Sequence, residues 1–332
     1  MRSPVYELNH READGNRIFV RREDLLPKYL GGNKVRIADA FFRDMKKKGC
    51  DAMIAYGSAH SNLCRVIACR CHAEGIPCRV ICSSTPGEAE DMVTSNSLLM
   101  AMLGAEIVPC AKDAIAPCVD ECLAAFEKEG KKPYYIYGSR LGTGNEGVAA
   151  SAYLEAYRDV TDLSELGIIP DYLFLASGTG ATQSGLICGS LLAGDKLQII
   201  GISVSRDKAR GRAILEEGII ACLKDREIFV DEEMRQNIQN RICLEDAYRH
   251  GGYGLYDEEI LSCMRQELLD NSLPMDPVYT GKAFLGMKDY LREHGIENKN
   301  ILFLHTGGTP LFYDSLNRGD YQQDERKKES SC

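Results

Sequence analysis

Short apolar segments alternate along most of this chain with longer segments of helical period. The apolar segments are residues 52–56, 79–82, 106–108, 134–136, 171–176, 197–202 and 301–304. Between the first of these and the N-terminus, residues 34–48 carry apolar side chains at helical spacing and end in a lysine-rich turn before Gly49. This alternation predicts strand–helix–strand units, in which helices bury both faces of parallel strands. We therefore expect an α/β protein.

The chain has 332 residues, a length that suits about two domains. A glycine-rich stretch, residues 138–147, interrupts the alternation midway. We interpret it as a connection between two α/β domains, although its glycines could equally line a ligand cleft. The polar segment 319–332 is expected to be a tail without a catalytic role.

Charge and hydropathy exclude several classes of function. Lys and Arg number 40 against 49 Asp and Glu, giving a formal charge of −9. Nucleic acid and anionic membranes are therefore not expected as partners. No apolar run approaches the roughly 18 residues of a membrane span, and the first residues lack the apolar core of a secretory signal. We expect a cytoplasmic protein.

The fourteen cysteines are scattered and form no Cys-x-x-Cys pair. This distribution indicates reduced, mostly buried thiols that act as small apolar side chains. A zinc site is the alternative, and its ligands would come from one cluster: His60, Cys64, Cys69, Cys71 and His72. Structural zinc usually has paired ligands at tighter, regular spacing, so no metal is expected.

A segment rich in glycine and threonine follows the predicted strand 171–176. Its central residues are Gly178, Thr179, Gly180, Ala181 and Thr182, and a helix is predicted directly after them. Free backbone N–H groups, two hydroxyls and a helix N-terminus together favour a bound anion. The segment matches neither a Walker loop nor the dinucleotide fingerprint, which leaves a single phosphate. A tight turn without a ligand is the alternative.

Lys34 lies in the first turn of the predicted helix 34–48, directly after Gly31-Gly32-Asn33. The positive end of the helix dipole disfavours its ammonium form and so favours the free amine that a Schiff base requires. A solvated lysine or a simple phosphate clamp would produce the same pattern.

Three further segments place polar side chains near predicted strand ends. Ser61 and Asn62, at a predicted helix N-terminus, could donate to a carboxylate or a phenolate oxygen, or they could be ordinary N-caps. The neighbouring His60 could be a proton shuttle or a structural histidine. Near the C-terminus, Tyr279 could act as an acid or base, and Thr306 ends a buried strand; either could be purely structural.

Taken together, the motifs resemble one known family. They are Arg-Arg-Glu-Asp-Leu, Gly-Gly-Asn-Lys-x-Arg, Ser-Asn-x-x-Arg, Ser-Gly-Thr-Gly-Ala-Thr-Gln-Ser-Gly, Asp-Pro-Val-Tyr-Thr-Gly-Lys-Ala and His-Thr-Gly-Gly-Thr-Pro. In this order the chain resembles the 1-aminocyclopropane-1-carboxylate deaminase and D-cysteine desulfhydrase family of pyridoxal-phosphate (PLP) enzymes, from residue 3 to about 313.

The resemblance implies PLP fold type II, the tryptophan-synthase-β fold, with two open, mostly parallel three-layer α/β domains and PLP between them. The larger domain would comprise residues 1–39 and 151–318, the smaller residues 40–150, and the tail residues 319–332. A homodimer is expected from the same resemblance and from the prevalence of symmetric dimers.

The resemblance also assigns roles. Lys34, rather than Lys28 or Lys282, would bind PLP as a Schiff base and then move the α-proton. Residues 178–182 would hold the phosphate, and Asn62 would bond the ring oxygen. Ser61 would bind the substrate carboxylate, and Tyr279 would be a general acid or base.

The chain departs from the family pattern at several positions near the cofactor. Cyclopropane deaminases usually have a Glu that bonds the pyridine nitrogen where this chain has Thr280, and a Leu where it has Thr306. A threonine hydroxyl makes the cofactor a weaker electron sink than a carboxylate would, which suits β-elimination. His60 replaces a common Gln, and Ile37 replaces a common second Lys, so these positions bear on the substrate more than on the cofactor.

We therefore expect a PLP-dependent lyase that removes the β-substituent of a small amino acid and releases pyruvate and ammonia, with D-cysteine as the first candidate substrate. Alternative activities are a lyase for L-cysteate or another β-substituted alanine, β-replacement with a thiol, and cyclopropane deamination. A non-catalytic small-ligand binding protein on the same fold is the alternative from another class.

Overall fold

Two sheets are present in the computed structural model, which describes residues 2–9, 14–84 and 93–320. The strands are β1 Val5–Glu7, β2 Arg17–Arg22, β3 Ala52–Gly57, β4 Cys78–Ser84, β5 Glu106–Ala111, β6 Pro133–Tyr135, β7 Tyr172–Ser177, β8 Gln198–Ser203, β9 Cys243–Glu245 and β10 Asn300–His305. The helices are α1 Lys34–Lys47, α2 Asn62–Glu74, α3 Ser95–Met102, α4 Ile115–Lys128, α5 Glu146–Ala156, α6 Arg158–Thr161, α7 Ala181–Ala193, α8 Lys208–Lys224, α9 Glu232–Arg241, α10 Glu258–Asn271, α11 Thr280–Glu293 and α12 Thr309–Arg318.

The six-stranded sheet has the order β1-β2-β10-β7-β8-β9, and the four-stranded sheet has the order β5-β4-β3-β6. All the described strand pairs are parallel except β1 with β2. The larger sheet is built from both ends of the chain, because β2 pairs with β10 in a parallel ladder. The predicted α/β class with open, mostly parallel sheets is therefore confirmed.

Successive residues of the central strands enter two different hydrophobic cores. In β7, Leu173 and Leu175 belong to one core, whereas Phe174 and Ala176 belong to the other. Side chains alternate across a strand, so this division shows that both faces of the six-stranded sheet are covered. Helices α5, α7 and α8 pack together, and α11 packs against β7 and β8, which gives the layers of a three-layer domain.

Helices α1 and α5 pack against each other and connect the parts of the chain that form the two sheets. The predicted boundaries at 39/40 and 150/151 fall inside these helices, and the exact domain limits stay predictions. The glycine-rich stretch 138–147 forms a small β-bridge between Gly138 and Gly144 and then enters α5.

Each predicted strand overlaps an observed strand, and the predicted helix 34–48 is α1 with Gly49 in the left-handed conformation after it. The sequence patterns did not reveal β1, β2 and β9. Of the predicted tail, residues 321–332 lie outside the described residues. Within the described ranges, no helix combines the length and the apolar character of a membrane-spanning segment.

Candidate active site

The loops that follow β2, β7 and β10 meet at the carboxyl edge of the larger sheet. Asn33 joins them: its backbone N–H donates to the carbonyl of Thr306 (2.9 Å), and its side-chain amide donates to the hydroxyl of Thr182 (2.9 Å). The next residue, Lys34, therefore begins α1 between the predicted phosphate loop and the C-terminal motif. Ligands bind at such edges in open α/β sheets.

Glycine is required where these loops approach one another. Gly31 has a φ of 66°, and a Cβ at this position would lie 1.9 Å from the carbonyl oxygen of Asp24. Gly307 has a φ of 117°, and its Cβ would lie 2.7 Å from the Cα of Gly32. A larger residue at position 307 would push the loop that carries Lys34 away from the β10 loop, and one at position 31 would clash with the backbone of Asp24.

Lys34 is partly buried and makes no hydrogen bond or ion pair with any described residue. Burial lowers the pKa of its amine to about 8. Burial also lowers the pKa of Lys282 to about 8, but the Lys282 amine donates to the carbonyl of Gly252 (2.7 Å) and is fully enclosed. Lys28 is exposed. Of these three lysines, only Lys34 combines a lowered pKa with an amine that is free to react.

The loop at residues 178–182 presents backbone N–H groups that donate to no described residue. Gly180 caps α7 with a φ of 87°, so these groups lie at the helix N-terminus. Arg206 donates to the carbonyl of Gly178, on the acceptor side of the loop. Thr182 accepts from Asn33, which leaves its own hydroxyl hydrogen free to donate. This arrangement suits a phosphate dianion.

The loop after β3 places Ser61 and Asn62 at the start of α2. Ser61 is the N-cap of this helix, because its hydroxyl oxygen accepts from the backbone N–H of Cys64 (3.2 Å). Its hydroxyl hydrogen remains available, so the capping role and the predicted carboxylate-binding role are compatible. The side-chain oxygen of Asn62 and the carbonyl oxygen of His60 both accept from Asn96. Substrate binding by the His60 side chain stays a prediction.

A chain of three hydroxyls spans the cleft between the two sheets. Tyr279 lies 2.8 Å from Tyr253, and Tyr253 lies 3.0 Å from Ser58, measured between side-chain oxygens. Burial, with Tyr253 as a second cause, raises the pKa of Tyr279 well above its usual value, so its hydroxyl is protonated at neutral pH. Sequence reasoning identified Tyr279 but missed Tyr253, whose only signal was its place among three glycines in Gly251-Gly252-Tyr253-Gly254.

The two threonines compared with the deaminase pattern have different environments. Thr280 is fully buried; its hydroxyl donates to the carboxylate of Asp276 (2.8 Å) and accepts from the Asp276 backbone N–H (2.9 Å). The hydroxyl of Thr306 has no hydrogen-bond partner among the described residues, and this residue adjoins the loop of Lys34. Thr306 is therefore the available hydroxyl for a ring nitrogen.

The residues of the alternative zinc site do not converge. Among the described side chains, one group of three potential metal ligands has its ligand atoms within 4.8 Å of one another: His250, Asp257 and Glu259. That group contains none of the residues considered from the sequence, which are His60, Cys64, Cys69, Cys71 and His72. Burial raises the pKa of Cys64 to about 12, which disfavours the thiolate that a metal requires.

The assembled groups fit the chemical features of PLP. The unpartnered amine of Lys34 suits the aldehyde carbon, and the free backbone N–H groups of residues 178–182 suit the phosphate. The side-chain amide of Asn62 can donate to the ring oxygen, and the hydroxyl of Thr306 can bond the ring nitrogen. Four functional groups of the cofactor thus have matching groups on the loops described above.

Comparisons with known proteins agree with this fit. A sequence model of the family described as pyridoxal-phosphate dependent enzyme matches residues 2–307. The chain is 28% identical over 305 residues to a D-cysteine desulfhydrase of Klebsiella pneumoniae subsp. pneumoniae, covering 90% of this chain and 89% of that protein. A crystal structure of a 1-aminocyclopropane-1-carboxylate deaminase homologue superposes with a TM-score of 0.81 at 26% identity, covering 96% of this chain and 93% of the other.

A hydrogen sulfide-producing enzyme from Fusobacterium nucleatum superposes with a TM-score of 0.60 at 18% identity, covering 92% of this chain and 93% of the other. At this identity the likeness concerns the fold alone. The solved relatives thus place the two-sheet architecture in PLP fold type II, as the sequence motifs predict.

Proposed function

The chain belongs to the pyridoxal-phosphate dependent enzyme family, and from this premise we propose that it is a lyase that eliminates the β-substituent of a small amino acid. D-cysteine is the proposed substrate, and sulfide, pyruvate and ammonia are the proposed products. The relative named D-cysteine desulfhydrase supports this choice of substrate. The observation that carries the proposal is the protonated Tyr253–Tyr279 pair, which adjoins the loops that fit the cofactor.

PLP, when bound, acidifies the α-hydrogen of an amino acid and accepts the electron pair that its removal leaves. The lowered pKa of Lys34 keeps a fraction of its unpartnered amine neutral near pH 7, and this neutral form can remove that proton. The hydroxyl hydrogen of Ser61 orients the substrate by its carboxylate. Residues 178–182 hold the phosphate through backbone N–H groups.

A proton assists the departure of the sulfur, because a substrate thiolate would otherwise have to leave as doubly charged S²⁻, whereas with one added proton it leaves as HS⁻. The high pKa of Tyr279 keeps its hydroxyl protonated, so it can donate to the leaving group. Tyr253 can return a proton to Tyr279 across their 2.8 Å contact, and Ser58 lies next in the chain at 3.0 Å. The fragment 2-aminoacrylate then hydrolyses to pyruvate and ammonia in water.

Cofactor dependence is tested with Lys34→Ala, and Lys28→Ala is the matched control because that lysine is exposed in the same loop. The purified wild-type protein and the control should show the absorbance band of a lysine-bound cofactor, and Lys34→Ala should lose it. A band retained in Lys34→Ala would contradict the assignment of this lysine. Absence of the band from the wild type would favour the non-catalytic binding protein.

The substrate is tested with a panel of D- and L-amino acids that carry β leaving groups, read by release of keto acid. D-cysteine should give pyruvate and sulfide in equal amounts. Turnover confined to L-substrates would refute D-cysteine and retain the lyase. Formation of 2-oxobutyrate from 1-aminocyclopropane-1-carboxylate would instead identify a deaminase. Tyr279→Phe should lower turnover while the cofactor remains bound.

We also propose a cytoplasmic homodimer. Every described cysteine is a free thiol, which suits a reducing compartment. Apolar side chains are exposed on the neighbouring helices α3 and α12, namely Leu98, Met102, Tyr313 and Leu316, and they support an interface between two copies. Sedimentation that gave a monomer mass at micromolar concentration would refute the dimer.

A further inference from the structure

The first residues of α3 hold the loop that carries Asn62. Thr94, the N-cap of this helix, donates its hydroxyl hydrogen to the carbonyl of Ala59 (2.6 Å). The side-chain NH₂ of Asn96 donates both to the carbonyl of His60 (3.1 Å) and to the side-chain oxygen of Asn62 (3.0 Å). Asn96 is fully buried. None of the sequence motifs identified this residue.

These contacts fix which way the Asn62 amide faces. A backbone carbonyl only accepts hydrogen bonds, so the His60 carbonyl requires the NH₂ end of Asn96 on its side. The same NH₂ then obliges Asn62 to present its oxygen to Asn96. The NH₂ end of Asn62 is left on the opposite side, and it donates to no described residue.

Asn96 fixes the orientation of the Asn62 amide, but its own side-chain oxygen makes no hydrogen bond with a described residue. This oxygen is buried. An unsatisfied buried oxygen costs stability. Asn96 therefore makes its two donated hydrogen bonds, to His60 and Asn62, while its own oxygen accepts none from the described residues. Such a cost is typical of groups that serve the function of a site rather than the stability of the fold.

Helix α3 is also fixed to the larger sheet's side of the cleft. The backbone N–H of Ser95 donates to both carboxylate oxygens of Asp314 (3.1 Å each), and the Ser95 hydroxyl donates to the same carboxylate. Asp314 lies on α12, the helix that directly follows the Thr306 motif. Helix α3, which carries Asn96, is therefore fixed to α12 and, through it, to the segment that contains Thr306.

We propose that Asn96 is a positioning residue: it locks the Asn62 amide with its NH₂ toward the cleft, where it donates to an anionic ring oxygen of the cofactor. The inference rests on the proposed function, because it assumes that PLP occupies the cleft. An Asn62 that was free to flip would present its oxygen to that anion part of the time and would repel it.

The test measures the affinity of cofactor-free protein for PLP by absorbance titration, in Asn96→Ala and Asn96→Asp, each with Asn62 intact and with Asn62→Ala. Asn96→Ala should weaken binding about tenfold, which corresponds to one hydrogen bond to a charged group. Asn96→Asp accepts from the Asn62 NH₂ and turns the Asn62 oxygen toward the cleft, so it should weaken binding further. In the Asn62→Ala background, neither change should alter the affinity by more than about twofold.

Ser97→Ala is the control, because Ser97 completes the capping box of α3 without contacting Asn62. It should bind PLP as the wild type does. Equal losses from Asn96→Ala in both backgrounds, or an equal loss from Ser97→Ala, would show that Asn96 only supports the helix and would overturn the proposal. If Asn96→Asp fails to fold, the Asn96→Ala cycle still decides. A wild type that binds no PLP would instead refute the proposed function.

Discussion

The partly buried Lys34 and the fully buried Lys282 give a quantitative prediction, because they share a lowered pKa and differ in their hydrogen bonds. Burial lowers the pKa of both Lys34 and Lys282 from 10.5 to about 8. Lys34 has no partner among the described residues, whereas Lys282 donates to the carbonyl of Gly252 at 2.7 Å. Replacing each with Met, which has a similar length and no charge, separates the cost of burying the ammonium group from the value of its hydrogen bond.

The expected magnitude follows from the pKa difference. A lysine with a folded pKa of about 8 and an unfolded pKa of 10.5 holds fewer protons when folded, so stability rises with pH between those values. At pH 7 the burial cost is about 3 kcal/mol, at about 1.4 kcal/mol per pKa unit. Lys34→Met should remove this cost and stabilise the cofactor-free protein by up to about 3 kcal/mol. Lys282→Met also loses a charged hydrogen bond worth about 1.5–3 kcal/mol, so its net gain should be small or absent.

The assay is urea unfolding of cofactor-free protein, prepared with hydroxylamine, at pH 7 and above pH 10.5. The gain from Lys34→Met should be present at pH 7 and disappear at the higher pH, where the wild-type amine is neutral in both states. Equal stability of Lys34→Met and wild type at pH 7, or a gain that does not change with pH, would refute the reasoning. Greater stabilisation by Lys282→Met than by Lys34→Met would refute the contrast between them.

Four other substitutions have defined outcomes. Tyr253→Phe should lower turnover about 100-fold with the cofactor still bound, as expected for a lost proton donor. Ser58→Ala should lower turnover less, because Ser58 lies one step further from Tyr279 in the series of hydroxyls. Equal effects of the two substitutions would contradict this order of proton transfer. Glu23→Gln should cost about 3 kcal/mol in unfolding at pH 7. Burial alone would raise the pKa of Glu23, but Arg36, Ser3 and Tyr153 together lower it, so the wild type should lose this advantage as the pH falls below about 4.5. Gly308→Ala should weaken PLP binding, because its Cβ would lie 2.1 Å from Asp276 Oδ2; unchanged affinity in titration would contradict this.

Sequence reasoning found strands such as β7 and β10, which apolar residues bury on both faces. Strand β2 was missed because Arg17, Arg21 and Arg22 interrupt its apolar pattern. The structure explains how two of these charges are buried: Arg21 pairs with Asp159, and Arg22 pairs with Asp24. Asp159 lies far along the chain, so no local pattern shows that the charge of Arg21 is neutralised.

The residues of the candidate site likewise fall into those that the sequence predicted and those that it missed. Lys34 and the loop 178–182 were predictable, because glycines and a helix start surround each of them in the sequence. Tyr253 and Asn96 were not, since their roles come from contacts with residues 26 or more positions away. A tyrosine hydroxyl or an asparagine amide has no distinctive sequence pattern unless its partner is a neighbour in the chain.

The pairing of β2 with β10 has a consequence for how the protein is made. On the ribosome, all the strands of the four-stranded sheet emerge before residue 136, so that sheet can fold early. The six-stranded sheet cannot be completed until β10, residues 300–305, has been synthesised and inserted between β2 and β7. Lys34 is translated near the beginning, yet Asn33 finds its Thr306 partner only near the end. An interrupted translation product therefore contains the reactive lysine but not the finished cleft, and cofactor capture should coincide with completion of the chain.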